Sequence, residues 1–349
     1  MDNVAVRPIQ APRRPHFSAT GKARFHVVLI ALGCDLVIAA IKFVASYFSG
    51  SSAMSSEGVH SLIDASTELI LLYGLMMSRR GATADHQLGF GREVYFWNFV
   101  VALLMFALGS GVTLISGLRQ IIHPAPLDHA WINYVVLALS AAVEISGLWA
   151  ALKKSNANRG SDSLYRFFYR RRDPTSLTIF FGGIAGILGL VATTIGLFLS
   201  QLLNNDAFDG IASVGISLIL GVTAWKLAME SKSLLIGVPA DPELVQEIIA
   251  CVDENSGVCV VNGMISVHLA PEQLMVALSV SFDVSLTSGQ VEGAIADIED
   301  KLHVDYPQIV ALFIKPQSPE RYAAVHGSSA PLTSYVNSQT VSSTPYASV

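Results

Sequence analysis

Charge is scarce in this chain. Only 14% of its 349 residues are Asp, Glu, Lys or Arg, against about 25% in soluble domains. With 52% of the residues hydrophobic, an ordinary soluble protein is a poor fit. Cysteine is scarcer still: Cys34, Cys251 and Cys259 are too irregularly spaced for a disulfide framework or a zinc ribbon. There is no excess of positive charge, the net charge being −5, so nucleic acid is not an expected partner. A phosphate-binding P-loop, a dinucleotide fingerprint and a nucleophile–base pair are all missing, and Gly89-Phe90-Gly91 is too short to count. No enzymatic activity is expected. The amino-terminal stretch is polar and basic through Lys22-Ala23-Arg24 and lacks the short apolar core of a cleaved signal.

Apolar runs are what the chain has in quantity. Six of them, near 25–48, 53–78, 94–118, 130–152, 175–202 and 207–231, reach the length of about 20 residues that a helix needs to cross a bilayer. Val94 to Leu118 and Thr175 to Leu202 contain no Asp, Glu, Lys or Arg. Basic residues fall in alternate connections: Arg7, Arg13, Arg14, Lys22 and Arg24 before the first run, Arg79, Arg80 and Arg92 after the second, and Lys153 through Arg172 after the fourth. The other connections are almost free of them. Because Lys and Arg are retained on the cytoplasmic side, both termini are expected there, in a multi-pass protein of the cell (inner) membrane.

From about Pro239 the character changes. Residues 239–316 hold twelve acidic residues and two basic ones, Lys301 and Lys315. The pattern predicts a helix (Pro242 to Val252), two strands (Val258 to Leu269 and Leu274 to Val284), a helix (Ser288 to Leu302) and a strand (Ile309 to Ile314). Val276, Leu278, Val280 and Phe282 alternate with smaller or polar residues, as in a half-buried strand. This order suits a small α+β domain with its helices on one face of a sheet. The expected organisation is a basic cytoplasmic tail over 1–24, a six-helix transmembrane domain over 25–238, a cytoplasmic α+β domain over 239–316 and a disordered Ser/Thr/Pro-rich tail over 317–349.

Ionisable residues inside hydrocarbon are costly and face a bundle interior or a watery pathway. The second run carries Glu57, His60, Asp64 and Glu68, whose spacings of three, four and four place them on one helical stripe. His60 and Asp64 offer a nitrogen and an oxygen to one divalent cation, a mixture that suits zinc better than calcium or magnesium. The competing reading is a histidine paired with a carboxylate for packing. Asp35 and Lys42 share a face of the first run, as an ion pair or as part of a pathway. Glu144 and Asp209 either line the path or satisfy a neighbouring hydroxyl.

Several stretches together resemble the cation diffusion facilitator, or cation efflux, family. They are Ser51-Ser52-Ala53-Met54 leading to Glu57-Gly58-Val59-His60-Ser61-Leu62-Ile63-Asp64, Asp85-His86 with Gly89-Phe90-Gly91-Arg92, Arg172-Asp173-Pro174-Thr175, and Ser233-Leu234-Leu235-Ile236-Gly237. The likeness covers about residues 25–316 and is nearest to the branch with His-x-x-x-Asp in the second transmembrane helix. It implies a homodimer with six helices per subunit and a cytoplasmic ferredoxin-like domain. It also implies export of a divalent metal, most often zinc, in exchange for protons; alternating access about a mid-membrane site is the mechanism expected. No permanently bound cofactor is implied; the metal is cargo.

The family's principal site takes two ligands from the second helix and two from the fifth. His60 and Asp64 match the first pair. Aligned on Asp173-Pro174-Thr175, the second pair falls on Gly182 and Gly183, with Ile179 one turn earlier. A depth check agrees with that register. Asp64 lies about 18 Å from one end of its helix and Gly183 about 12 Å from the opposite end, together about the 30 Å of the hydrocarbon core. Glycine brings no side-chain ligand. Three readings are therefore open: transport with a shell rebuilt from His60, Asp64, water and a carboxylate such as Glu68 or Asp35; a degenerate site in a partner or regulatory subunit; or a different register. Gly182, Gly186 and Gly189 also fit a small-residue packing face. Asp85 and His86 lie in a loop where relatives bind a further ion, although Phe90 stands where another histidine is expected. His268 and the acidic last domain are a further candidate for zinc, against the reading of a solvated acidic face.

Overall fold

The computed structural model describes residues 20–124, 130–158, 174–271 and 273–326, which fall into two compact units dividing between Leu235 and Ile236. Most of the basic tail, the Arg-rich stretch 159–172, Asp173 and residues 327–349 lie outside the described residues.

The first unit is helical. It contains α1 (Thr20–Ser49), α2 (Ser52–Ser78), α3 (Glu93–Leu104), α4 (Gly111–Ile122), α5 (Ala130–Asn158), α6 (Pro174–Leu203) and α7 (Ala207–Ile236). Five stretches among the described residues are long and apolar enough to cross a membrane: Ser52–Ser78, Glu93–Ile122, Trp131–Trp149, Leu177–Leu203 and Ala207–Ile236. The chain is an integral multi-pass membrane protein. Several helices outrun the apolar runs read from sequence, α5 by six residues at its end and α7 by five. Hydropathy detects only the lipid-crossing part, and a helix continues into water wherever its backbone bonds persist.

The bundle is turned inside out relative to a soluble protein. Ile115, Trp131, Leu139, Trp149, Leu202 and Leu218 are exposed, whereas Ser56, Thr113, Asn133, Thr193 and Ser217 are buried. Helices in lipid gain nothing by hiding leucine, so their contacts rely on close packing and polar bonds. Gly117 on α4 and Gly210 on α7 show this. A Cβ on Gly117 would lie 2.9 Å from the Gly210 carbonyl oxygen, and one on Gly210 would lie 2.8 Å from that of Gly117. Between α3 and α4, Met105–Ser110 is a π-helical stretch that carries the Glu93–Ile122 span across its middle without a break.

A tight hairpin joins α1 to α2. Gly50 ends α1 at φ +69°, a left-handed conformation that glycine adopts without a Cβ penalty. Ser51 then caps α2, its Oγ accepting from the Met54 N–H at 3.0 Å. The same hydroxyl donates to Asp209 Oδ1 at 2.6 Å, while the N–H groups of Ser52 and Ala53 donate to Asp209 Oδ2 at 2.5 and 3.0 Å. Asp209 is fully buried. Of the two roles open to it, satisfying neighbouring donors is the one observed: it is an anion docked on the positive end of α2.

The second unit contains α8 (Pro242–Asp253), β1 (Val258–Ala270), β2 (Gln273–Phe282), α9 (Ser288–Asp305), β3 (Ile309–Pro316) and α10 (Pro319–His326). The strands form one sheet in the order β1-β2-β3. β1 and β2 are antiparallel. β2 and β3 are parallel, with α9 as the crossover that a parallel pair requires. Leu274, Val276, Leu278 and Val280 meet Ile248, Val252, Ile298 and Leu302 in one apolar core. The expected disordered tail is corrected at its start, because α10 occupies part of it. Its cause is contact with β1: Asn262 Nδ2 donates to the Gln317 carbonyl at 2.7 Å, and the Tyr322 ring lies over Gly263, where a Cβ would collide with it.

Replacing Asp209 with alanine strands two backbone donors and a hydroxyl in the bundle. The expected cost is about 3 kcal/mol, read as a lowered thermal-unfolding midpoint of the purified protein in detergent. An unchanged midpoint would show that the cap contributes nothing.

Candidate metal centre

Lys42 anchors the polar interior. Its side chain on α1 is fully buried, and its ammonium donates to Glu57 Oε2 at 2.9 Å, Ser61 Oγ at 2.9 Å and Glu144 Oε1 at 3.4 Å. An ammonium has three N–H donors, and each has an acceptor here. Of the two readings open for Asp35 and Lys42, the direct ion pair is not the one observed; Lys42 pairs with Glu57 and Glu144, because α2 and α5 bring their carboxylates to the same point. Asp35, half-buried on α1, stays within electrostatic reach of Lys42 and His60.

The stripe on α2 is present as read from the sequence, and it opens along its length. Glu57 is fully buried and His60 is 1% exposed, whereas the Asp64 side chain is 34% exposed and Glu68 is half-buried. His60 Nε2 lies 3.3 Å from Asp64 Oδ2. Neither ring nitrogen of His60 has a hydrogen-bond partner. A buried imidazole left in this state carries an uncompensated desolvation cost, which a metal ion or a proton on the ring would offset. Glu68 Oε2 is likewise buried without a hydrogen bond. Among the described residues, no three His, Cys, Asp or Glu side chains are already gathered around a point where they would hold an ion.

Helix α6 faces this stripe with glycines. A Cβ on Gly186 would run into Glu144 Oε2 and lie 3.0 Å from His60 Nε2. One on Gly189 would run into Glu57 Oε1. Gly183 borders Leu148 at 3.4 Å, Gly182 has open space, and Ile179 is 53% exposed. The glycine beside the imidazole is thus Gly186, one turn beyond Gly183. Close approach is a physical reason for glycine at Gly186 and Gly189: the carboxylates of α2 and α5 occupy the room that side chains on α6 would take.

The other candidates do not join this cluster. Asp85 and His86 are exposed, in a turn where the backbones of Thr83 and His86 exchange hydrogen bonds of 3.1 and 3.2 Å. The His86 ring lies against Phe90 with centroids 4.5 Å apart. His268 is half-buried in β1 of the second unit, its N–H donating to the Val238 carbonyl at 3.0 Å. Sequence reasoning left Glu144 as a lone acid and missed its place beside Lys42 and His60. The available signal was a lone acid within the apolar stretch Trp131–Trp149 of α5.

Removing one partner of a buried ion pair leaves the other charge unpaired. Lys42→Ala is expected to destabilise the bundle by about 3–5 kcal/mol, seen as a lower melting midpoint or loss of the monodisperse species on size-exclusion chromatography. A Lys42→Ala protein that melts like the wild type would mean that the triad contributes no stability.

Residues 28–236 match the family model described as the cation efflux transmembrane domain. The proton-coupled zinc antiporter SLC30A9 of Homo sapiens is 26% identical over 274 residues, 78% of this chain and 48% of that protein. The probable cation efflux system protein Rv2025c of Mycobacterium tuberculosis is 27% identical over 322 residues, 90% of this chain and 87% of its own. The manganese efflux system protein MneP of Bacillus subtilis is 22% identical over 231 residues, 63% of this chain and 71% of its own. The chain spans about half the length of the SLC30A9 proteins it matches.

Proposed function

The chain belongs to the cation efflux, or cation diffusion facilitator, family, and from that premise we propose that it exports a divalent metal cation through the site at His60 and Asp64, in exchange for protons. The observation that carries this reading is the buried His60 imidazole with both nitrogens lacking hydrogen bonds, 3.3 Å from the Asp64 carboxylate. Zinc suits an imidazole–carboxylate pair, and relatives are named for zinc and for manganese.

Proton coupling follows from charge. Among the described residues, Asp35, Glu57, Asp64, Glu68 and Glu144 share the polar interior with one ammonium, that of Lys42. Low-dielectric surroundings do not tolerate so many uncompensated carboxylates, so protons or a divalent cation balance them. Metal and proton compete for the same lone pairs; loading one expels the other. The rise in exposure from His60 to Asp64 supports a pathway open toward the carboxyl-terminal end of α2.

We assign α1 as a sixth span. Lys42, Ala39 and Ala45 turn inward while Leu36, Val37, Ile41, Val44 and Phe48 are exposed, a division that fits one face on the bundle and one on lipid. The alternation of basic connections supports cytoplasmic termini, and the αββαβ unit supports a cytoplasmic ferredoxin-like domain in a homodimer. The glycines of α6 favour one rival: a family member that no longer transports and serves as a partner or regulatory subunit.

Purified protein in liposomes separates the two. Zinc or manganese added outside is expected to drive proton movement in the wild type, and His60→Ala and Asp64→Ala are each expected to abolish it. Undiminished flux in both variants would remove this site from the mechanism, and an inert wild type would favour the subunit reading.

A further inference from the structure

Glu144 has two unlike carboxylate oxygens. Oε1 accepts from Lys42 at 3.4 Å, while Oε2 is buried and has no hydrogen-bond partner. The side chain as a whole is 19% exposed, but leaving its buried oxygen unsatisfied is costly, so this atom calls for a ligand. Its surroundings say which kind. Oε2 borders the same spot over Gly186 as His60 Nε2, since a single added Cβ there would contact both. The imidazole nitrogen is itself buried without a hydrogen bond. Two electron-pair donors, one oxygen and one nitrogen, therefore approach one place from α5 and α2, across a residue of α6 that contributes no side chain.

We infer that Glu144 on α5 is the third protein ligand of the transported cation, taking up with His60 and Asp64 the role that fifth-helix side chains cannot fill, and that Gly186 is the opening through which it reaches the ion. This rests on the transport reading above and names a ligand of that same site. Charge supports it. Asp64 alone leaves a divalent ion with a net positive charge in hydrocarbon, whereas Asp64 and Glu144 together neutralise it. Three protein ligands also leave zinc's fourth tetrahedral position to water, as suits an ion that must depart. Glu57 is the weaker candidate: its Oε2 is held by Lys42 at 2.9 Å, and its free Oε1 faces Gly189, about one turn away on α6. Lys42 acts on Glu144 as a positioning residue. By holding Oε1, it keeps Oε2 directed at the imidazole.

The bland reading makes Glu144 only a counter-ion for Lys42, and metal binding by the full-length protein in detergent distinguishes the two. Zinc affinity is measured by equilibrium dialysis, and cobalt(II) is added to report the ligand set through its visible absorption. Glu144→Gln is expected to weaken zinc binding at least about tenfold, equivalent to about 1.4 kcal/mol, and to alter the cobalt bands. His60→Ala is expected to weaken binding as well. Wild-type zinc affinity and an unchanged cobalt spectrum in Glu144→Gln, beside lost binding in His60→Ala, would overturn the assignment of Glu144 and leave the transport reading standing. A wild-type protein that binds neither metal would overturn both. Should Glu144→Gln fail to fold, Glu144→Asp keeps a carboxylate for Lys42 but withdraws it by one methylene. Weakened zinc binding in that folded variant supports the assignment, and wild-type binding overturns it.

Discussion

A single ammonium buried among membrane helices organises the polar interior of this protein. Hydrocarbon supplies no acceptors, so Lys42 has to find all three within the bundle. It finds them on α2 and α5, in Glu57, Ser61 and Glu144. That requirement ties α1 to both helices at one depth and fixes which oxygen of each carboxylate is engaged. The oxygens left over, Glu57 Oε1 and Glu144 Oε2, project toward α6. Helix α6 accommodates them by carrying glycine at both contact points. The placement of the acids and the absence of side chains opposite them are one arrangement seen from two sides.

Seen this way, the glycines of α6 need not mark a ruined site. A side chain at Gly186 would compete for space with Glu144 and His60, so glycine there and a carboxylate from α5 go together. The polar centre is in turn held in place by groups with no part in it. Asp209 docks on the first turn of α2, two turns before His60, and the Gly117–Gly210 contact brings α4 against α7. In lipid, where burying apolar surface earns no preference for one packing over another, such close and polar contacts set the geometry.

Much of this was legible in the residues. The spans of α2 through α7 stood out because charge is so thinly spread, and the stripe from Glu57 to Glu68 follows from helical spacing alone. The order of helices and strands after Pro239 was readable from alternation in β2 and the Thr287-Ser288 start of α9. What escaped depended on which helices become neighbours. Asp35 was the one partner that helical spacing could offer Lys42, whereas the partners observed sit 15 and 102 residues away. Gly186 was read as a packing residue and its neighbour Gly183 as the telling position; only the facing side chains distinguish them. α10 was missed because its anchors, Asn262 and Gly263, lie more than fifty residues earlier in the chain.

The π-helical stretch Met105–Ser110 has a consequence for how the Glu93–Ile122 span tolerates change in length. Each residue added to or taken from a helix turns everything beyond it by about 100°. The wide turn takes up one residue more than an ordinary helix would and does not pass that rotation on to α4. A one-residue deletion within it would leave a regular helix with Gly117 still against the Gly210 backbone. The same deletion between Gly111 and Ser116 would swing Gly117 off that contact and bring the bulkier Leu118 there. The irregular turn is the place where this helix can lose a residue and keep its fit.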